Sequence, residues 1–323
     1  MGQELTFVAY DAGEPGSAAW IERAHGAWPL IKSLGSDATW TVAGQAAAMD
    51  TFAEHMPELV PVLGELGAAL DQRGGAAYLT HTTLTPFFEF CSQTSTAGAL
   101  VRNYDFDPRY CERAICRSSF LRPVIGMQEL LWGLLDGMND AGLAVSLTFG
   151  GRMVKGPGFS VLMVVRYLLE TCTSVEQAWH KLRTLPVCTA QNLTLVDADQ
   201  AVSVHIGPDL AAERTDDVCV TNHQRDPVPD EQERGSHTQQ RLAAIRAAKA
   251  QADAGSAADP VEEIVQALLR PPLYTTDYAG MLGTIYTAAY RPGEGRVSYV
   301  WPAERWEQSF AAFEPGTRTV TVG

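Results

Sequence analysis

Two textures divide the chain, and the change comes near residue 78. Before it the apolar spacing is helical: Trp20, Ile21, Ala24, Trp28 and Ile31 recur between Ser17 and Leu34. From Gly44, Met49, Phe52 and Ala53 lead to Pro57, which suits the first turn of a new helix. Leu59, Val62, Leu63, Leu66 and Leu70 then carry an apolar stripe to the stop at Gly74-Gly75. Leu5 to Tyr10 reads as a short strand. Residues 1–90 are therefore expected to be mainly helical, and 91–323 to form the second, compact part.

Beyond Tyr78 the sequence becomes Thr-rich and aromatic, and Phe87-Phe88-Glu89-Phe90 runs straight into Cys91. Cys91 to Thr94 and Ala99 to Asn103, around the small residues Ser95 to Gly98, predict a hairpin. Strands are further expected at Leu143–Phe149, Asn192–Val196, Ala201–Ile206, Val218–Thr221, Thr284–Tyr290 and Arg296–Trp301, with helices at Phe159–Cys172, Val175–Leu182 and Gln239–Gln251. The class is mixed α+β. Asp226 to Gly235, rich in Pro and acid, predicts a surface loop, and Ala252 to Asp259 a linker between helices. The Gly-rich stretch Gly150 to Gly158 predicts a loop at the rim of a site, with Arg152 and Lys155 available to an anionic group.

Composition narrows the function classes. At 46% hydrophobic and 19% charged residues, the 323-residue chain is globular in type. Its 24 Lys and Arg stand against 38 Asp and Glu, a net charge of −14, which argues against a nucleic-acid partner. The longest apolar stretch, Phe159 to Val165, is cut by Arg166, well short of the roughly 20 residues that a membrane helix needs. Met1 to Thr6 has no basic and apolar regions of the secretory kind, so a cytoplasmic location is expected. The six Cys and seven His lack zinc spacing, and the cysteines are expected to be reduced, with no metal or cofactor.

Cys91 is the feature that packing does not explain. It opens a predicted hairpin after an apolar run, and Arg102-Asn103-Tyr104-Asp105 follows eleven residues later. If Cys91 became a chain terminus, its own α-amino group, with a pKa of roughly 7.7–8.0, would be a general base beside the thiol. A nearby Arg would raise the thiolate fraction, and an Asp would orient the amine. Alternation puts Arg102 and Tyr104 on one strand face, so Asp105 has to enter through the strand's end or a bend.

Four blocks, in order, resemble the cysteine N-terminal-nucleophile hydrolases of the penicillin acyltransferase (acyl-coenzyme A:6-aminopenicillanic acid acyltransferase) and bile salt hydrolase type. They are Met56-Pro57-Glu58-Leu59 with Leu63-Gly64-Glu65-Leu66; Cys91-Ser92 with Arg102-Asn103-Tyr104-Asp105; Asp136-Gly137-Met138-Asn139 with Ala141-Gly142-Leu143-Ala144; and Val220-Thr221-Asn222-His223. The resemblance implies an αββα sandwich of two antiparallel sheets flanked by helices, with a pro-region removed by self-cleavage between Phe90 and Cys91. It further implies acyl cleavage or transfer from a small-molecule amide or thioester, a coenzyme A ester among them. By position, Cys91 is the nucleophile, Arg102 and Asp105 its activating pair, and Asn222 an oxyanion donor. Two cleavage fragments would remain associated, and a homo-oligomer is compatible with this type.

The pattern is not uniform. Phe90 stands where relatives often have a small residue. Thr148 stands where bile salt hydrolases have a further Asn, and offers only a hydroxyl. Arg241, near Ser236, is the candidate for a later Arg, at a spacing that does not match cleanly. Two other readings stay open at this level: an unprocessed Cys91–His223 hydrolase, and a non-catalytic relative that keeps the fold as a binding module.

Overall fold

A computed structural model describes residues 2–84, 90–225, 227–255, 258–278 and 283–323. Fourteen strands are found among them: β1 (Gln3–Gly13), β2 (Phe90–Thr96), β3 (Ala99–Asp105), β4 (Ala114–Ser119), β5 (Pro123–Glu129), β6 (Gly133–Asn139), β7 (Ala144–Phe149), β8 (Gln191–Val196), β9 (Ala201–Gly207), β10 (Leu210–Thr215), β11 (Thr284–Arg291), β12 (Arg296–Val300), β13 (Arg305–Ser309) and β14 (Gly316–Val322). They form two sheets, one of nine strands in the order β10-β9-β8-β7-β6-β5-β4-β1-β14, the other of five in the order β13-β12-β11-β3-β2. All neighbours are antiparallel except β1 and β4.

The sheets face each other through β2 and β3 against β7 and β8. Helices Val161–Thr171 and Val175–Leu182 cover the outer face of the large sheet, and Thr238–Asp253 and Pro260–Leu268 that of the small one. The expected four-layer αββα architecture is thus the one observed. Helix Val161–Thr171 is buried almost all round: it packs on β5, β6 and β7, and its Tyr167 hydroxyl donates to Glu58 of the N-terminal part. Arg166, the residue that interrupts its apolar run, is buried too, donating to the Trp132 carbonyl, Ser118 Oγ and Glu170.

The N-terminal part is helical as expected, with Ala18–Ile31, Val42–His55 and Val60–Leu70, but it is not an appendage. Strand β1, longer than its alternation suggested, sits inside the large sheet between β4 and β14. Trp20 Nε1 donates to the Leu131 carbonyl, Trp132 Nε1 to that of Leu79, and Phe52 stacks on Trp132.

Several sequence expectations need correction. Within Asp226–Gly235, expected as a loop, residues 230–236 form a helix, with Asp230, Glu231 and Glu233 in its first turn where the helix dipole favours anions. Val218–Thr221 contributes only the isolated bridge Gln93↔Val220. Strands β4, β5 and β6 had no periodic signal because they are buried on both faces. Phe87 to Glu89 lie outside the described residues, and Phe90 opens β2.

Candidate functional site

The hairpin β2–β3 builds the site. Ala97 and Gly98, both with positive φ (48° and 69°), make the two-residue turn that suits the right-handed twist of paired strands. Its register sets Cys91 opposite Tyr104 and Gln93 opposite Arg102. These four side chains share the face toward the large sheet, where Gln93 meets Ser146 and Thr194. Ser92, Asn103 and Asp105 share the opposite face, toward the helices.

On the inner face Arg102 Nη2 donates to Cys91 Sγ at 2.7 Å, and Nη1 donates to Asp136 Oδ2 at 2.9 Å and to the Leu135 carbonyl at 3.1 Å. Asp136 also accepts from the Tyr286 and Tyr290 hydroxyls, and Tyr290 bonds Tyr299. Arg102, Cys91 and Asp136 are wholly buried. Burial alone would depress the guanidinium's pKa, but Cys91, Tyr286 and Asp136 outweigh it and hold Arg102 above its ordinary value.

Behind the strand lies the second cation. Arg241, in the first turn of helix Thr238–Asp253, donates through Nη1 to the Cys91 carbonyl at 2.7 Å and to Ser92 Oγ at 2.9 Å. Its Nη2 donates to Asn222 Oδ1 at 2.6 Å, and Nε to the Ser236 carbonyl. The Asp105 carboxylate stands 3.7 Å from Nη1 and accepts from the Thr284 hydroxyl at 2.7 Å. Its other oxygen, Oδ2, is buried with no hydrogen-bond donor among the described residues. Burial pushes Asp105 up to about 6, opposed by Arg241, the Thr284 hydroxyl and Arg102. Arg102 and Asp105 therefore act on opposite faces of β3, and only Arg102 reaches the sulfur.

Asn222 arrives by register. Gln93 and Val220 exchange both backbone hydrogen bonds at 2.9 Å, so the residue two before Gln93 meets the residue two after Val220. Asn222 Oδ1 accepts from the Cys91 backbone nitrogen at 3.1 Å, and Nδ2 donates to the Phe149 carbonyl at 3.2 Å. A guanidinium only donates, so the Arg241 contact fixes which end of the carboxamide is oxygen. A Cβ at Gly151, where φ is +76°, would come within 2.4 Å of the Asn222 carbonyl, so this loop does border the site. Arg152 in the same loop is engaged by Asp209 and Gln224.

Thr148 and His223 take other places. The Thr148 hydroxyl donates to the Thr221 carbonyl at 3.2 Å and accepts from Asn192 Nδ2. Asn192 also donates to the Thr221 and His223 carbonyls, so the pair holds the segment that presents Asn222. His223 Nδ1 stands 2.9 Å from Thr238 Oγ1. Sequence reasoning missed the roles of Asp136, its two tyrosines and Asn192. The alternation Tyr286, Ala288, Tyr290 was the available signal for the tyrosines. Asn139, in the same block as Asp136, instead ties the end of helix Val161–Thr171 by donating to the Leu169 and Cys172 carbonyls, both at 2.8 Å.

None of the six cysteines is in a disulfide, and no group of metal-ligating side chains occurs among the described residues. No described helix is long and apolar enough to cross a membrane.

Similar folds occur among solved structures. The conjugated bile acid hydrolase of Clostridium perfringens, in a mutant form, matches with a TM-score of 0.51 at 12% identity, over 71% of this chain and 96% of that one. A penicillin V acylase of Agrobacterium tumefaciens gives 0.46 at 13%, over 72% and 90%. A Caenorhabditis elegans N-acylethanolamine-hydrolyzing acid amidase ortholog gives 0.42 at 15%, over 72% and 99%. No curated protein matches the sequence. The fold is that of the N-terminal-nucleophile hydrolases. Residues 91–306, more than half the chain and starting at the Arg102-bound cysteine, match the profile of one family, so the chain belongs to the acyl-coenzyme A:6-aminopenicillanic acid acyl-transferase family.

Proposed function

We propose that the protein is a cysteine-nucleophile amidohydrolase or acyltransferase, activated by cleavage of its own chain between Phe90 and Cys91. The observation that carries this reading is the 2.7 Å contact from Arg102 to Cys91 Sγ, which stabilises a thiolate in a site where an isolated charge would be costly. Residues 1–90 act as the pro-region and 91–323 as the catalytic unit.

In activation the Cys91 sulfur attacks the Phe90 carbonyl carbon. The C–N bond breaks, its nitrogen takes a proton, and water hydrolyses the resulting thioester to a Phe90 carboxylate and the thiol. The freed α-amine stays beside Asn222 Oδ1, and the role assigned to Asp105, whose Oδ2 faces Arg241 at 3.7 Å and has no hydrogen-bond donor among the described residues, is to accept one of the amine's hydrogens. In turnover that amine takes the thiol proton as sulfur attacks the substrate carbonyl. Asn222 Nδ2 donates to the oxyanion. The departing amine or thiol leaves with the proton, and water or an acceptor amine then takes the acyl group from sulfur. Arg241 holds the Cys91 carbonyl and fixes the nucleophile's backbone. Amides are the first substrate class, with thioesters, coenzyme A esters included, as donors in transfer. His223, bonded to Thr238, has no part in this scheme.

The test is acyl-enzyme trapping. The purified protein is mixed with a panel of acyl amides and acyl thioesters, quenched in acid and mapped by mass spectrometry. An acyl adduct on a peptide beginning at Cys91 is expected; adducts on no cysteine, or on a Cys91 still joined to Phe90, would overturn the scheme.

A further inference from the structure

Strand β11 breaks its own alternation next to the hairpin that carries Cys91. Its register against β3 sets Tyr286 opposite Tyr104, Thr287 opposite Asn103 and Ala288 opposite Arg102, so one more regular step would put Ile285 opposite Asp105. A β-bulge intervenes, and Thr284 stands there instead. A bulge disrupts the ladder locally and re-aims a side chain, a device that recurs beside active sites. Here it turns the buried Thr284 to the outer face with Asn103 and Asp105, although two-residue spacing from Tyr286 and Tyr290 would place it on the inner face with them.

Every polar group of Thr284 is committed. Its N–H donates to the Thr275 carbonyl at 2.8 Å, its carbonyl accepts from the Tyr278 hydroxyl at 3.0 Å, and its Oγ1 accepts from the Thr275 N–H at 3.0 Å. A backbone N–H only donates, so the hydroxyl hydrogen is left for Asp105 Oδ1, 2.7 Å away. That bond occupies one carboxylate oxygen, while Oδ2 is buried with no hydrogen-bond donor among the described residues. Around the carboxylate stand Arg241 from helix Thr238–Asp253, at 3.7 Å, Arg102 from β3 itself, and Tyr274 and Tyr278 from the segment before β11. Burial holds both phenols above their ordinary value, so neither is charged near neutral pH.

We propose that Thr284 is a positioning residue of the acyl-transfer site: its hydroxyl fixes Asp105 Oδ1 and thereby keeps Oδ2 for the amine released at Cys91. The inference rests on the cysteine-nucleophile reading. In that reading, cleavage releases Phe90, the residue paired with Asp105 on β2, and Thr284 on β11 is the strand neighbour that stays. Without the hydroxyl, the carboxylate can rotate and give both oxygens to Arg241.

The experiment compares Thr284→Val, which keeps the shape and removes the hydroxyl, with Thr284→Ser, which keeps the hydroxyl. In processed protein, the rate of Cys91 acylation by p-nitrophenyl acetate is followed between about pH 4 and pH 8. The wild-type rate should rise through about pH 6, where Asp105 ionises. In Thr284→Val the plateau should fall by about tenfold and the rise should move to higher pH, because the lost bond was made to the ionised carboxylate. Thr284→Ser should keep both. Thr284→Ala, which removes the hydroxyl with a small cavity in place of a methyl, carries the same test should the Val variant fail to fold. In an Asp105→Asn background the loss of the hydroxyl should cost less than about twofold, since the two residues act through one carboxylate. An undiminished loss in that background, an unmoved rise in the variants without the hydroxyl, or a folded Thr284→Ser that behaves like them would each overturn the inference. Failure of the underlying reading looks different: the wild-type protein would then carry no acetyl group on Cys91.

Discussion

Arg102 reaches Cys91 diagonally across a hairpin: it pairs with Gln93 in register, yet its Nη2 lies 2.7 Å from the Cys91 sulfur. The same guanidinium binds Asp136, so its removal has two effects that need separating. Arg102→Ala leaves a buried carboxylate without its counter-charge and should destabilise the protein by about 3–5 kcal/mol. Adding Asp136→Asn removes that charge and should recover much of the stability. Reactivity should not recover. In the processed enzyme, the rate of Cys91 alkylation by iodoacetamide at neutral pH should be lower by about tenfold in both variants, because neither has a cation at the sulfur. A double variant that regains both stability and alkylation rate would make Arg102 a purely structural member.

Cleavage has a separate signature in mass. Wild-type protein should give two fragments under denaturing conditions, meeting at Phe90 and Cys91, while Cys91→Ala stays a single 35.0 kDa chain. Without denaturant the fragments should elute together, since β1 is hydrogen-bonded on one side to β4 and on the other to β14. Cleavage that persists in Cys91→Ala contradicts a sulfur attack on the Phe90 carbonyl.

The legible parts of this molecule were those with local signals. The hairpin was readable because small residues separate two runs rich in β-formers, and helix Val175–Leu182 because its apolar period is clean. Cys91, Arg102 and Asn222 were found through motifs, and the fold brings them together. Asp105 shows what a motif leaves out: two residues that read as one signature lie on opposite faces of β3, and Asp105 meets Arg241 from a helix more than a hundred residues away. Asp136 and Asn192 were invisible as partners because their contacts depend on which strands stack across the sandwich, and that is a tertiary fact. The helix at 230–236 was hidden by composition, since its acid-rich first turn resembles a loop.

Asp105 gives a pH test with a definite sign. Its carboxyl titrates at about 6 in the folded protein against 3.8 as the ordinary value, so the folded state binds the extra proton between these limits. Its contribution to stability is therefore fuller at low pH and is lost as pH rises from about 4 to 6. Asp105→Asn lacks this loss, and its melting temperature relative to wild type should climb over that range. Activity should move oppositely. If ionised Asp105 orients the Cys91 amine, kcat/KM of wild type rises through pH 6, and the Asn variant is slow at all pH values without that limb. A variant that keeps the limb would assign it to another group.

Asn222 carries two tasks on one carboxamide, and substitution can divide them. Its oxygen holds the Cys91 nitrogen and Arg241, while its Nδ2 is the donor assigned to the oxyanion. Asn222→Asp keeps an acceptor for both partners and has no N–H to offer. It should still be cleaved at Phe90, yet kcat should fall by roughly 10²–10³ with little change in KM, as expected for a group that acts only when charge develops on the carbonyl oxygen. Asn222→Ala removes both functions, so cleavage itself should slow and the residual activity should be lower than in the Asp variant. His223→Ala is the control, because a Cys91–His223 hydrolase predicts near-complete inactivation there. In the N-terminal-nucleophile scheme the imidazole, which meets the Thr238 and Thr221 hydroxyls, takes no part in the chemistry, and the loss should stay within about the cost of an ordinary hydrogen bond. An inactive His223→Ala beside an active Asn222→Asp would exchange the mechanism for the dyad and leave the fold unchanged.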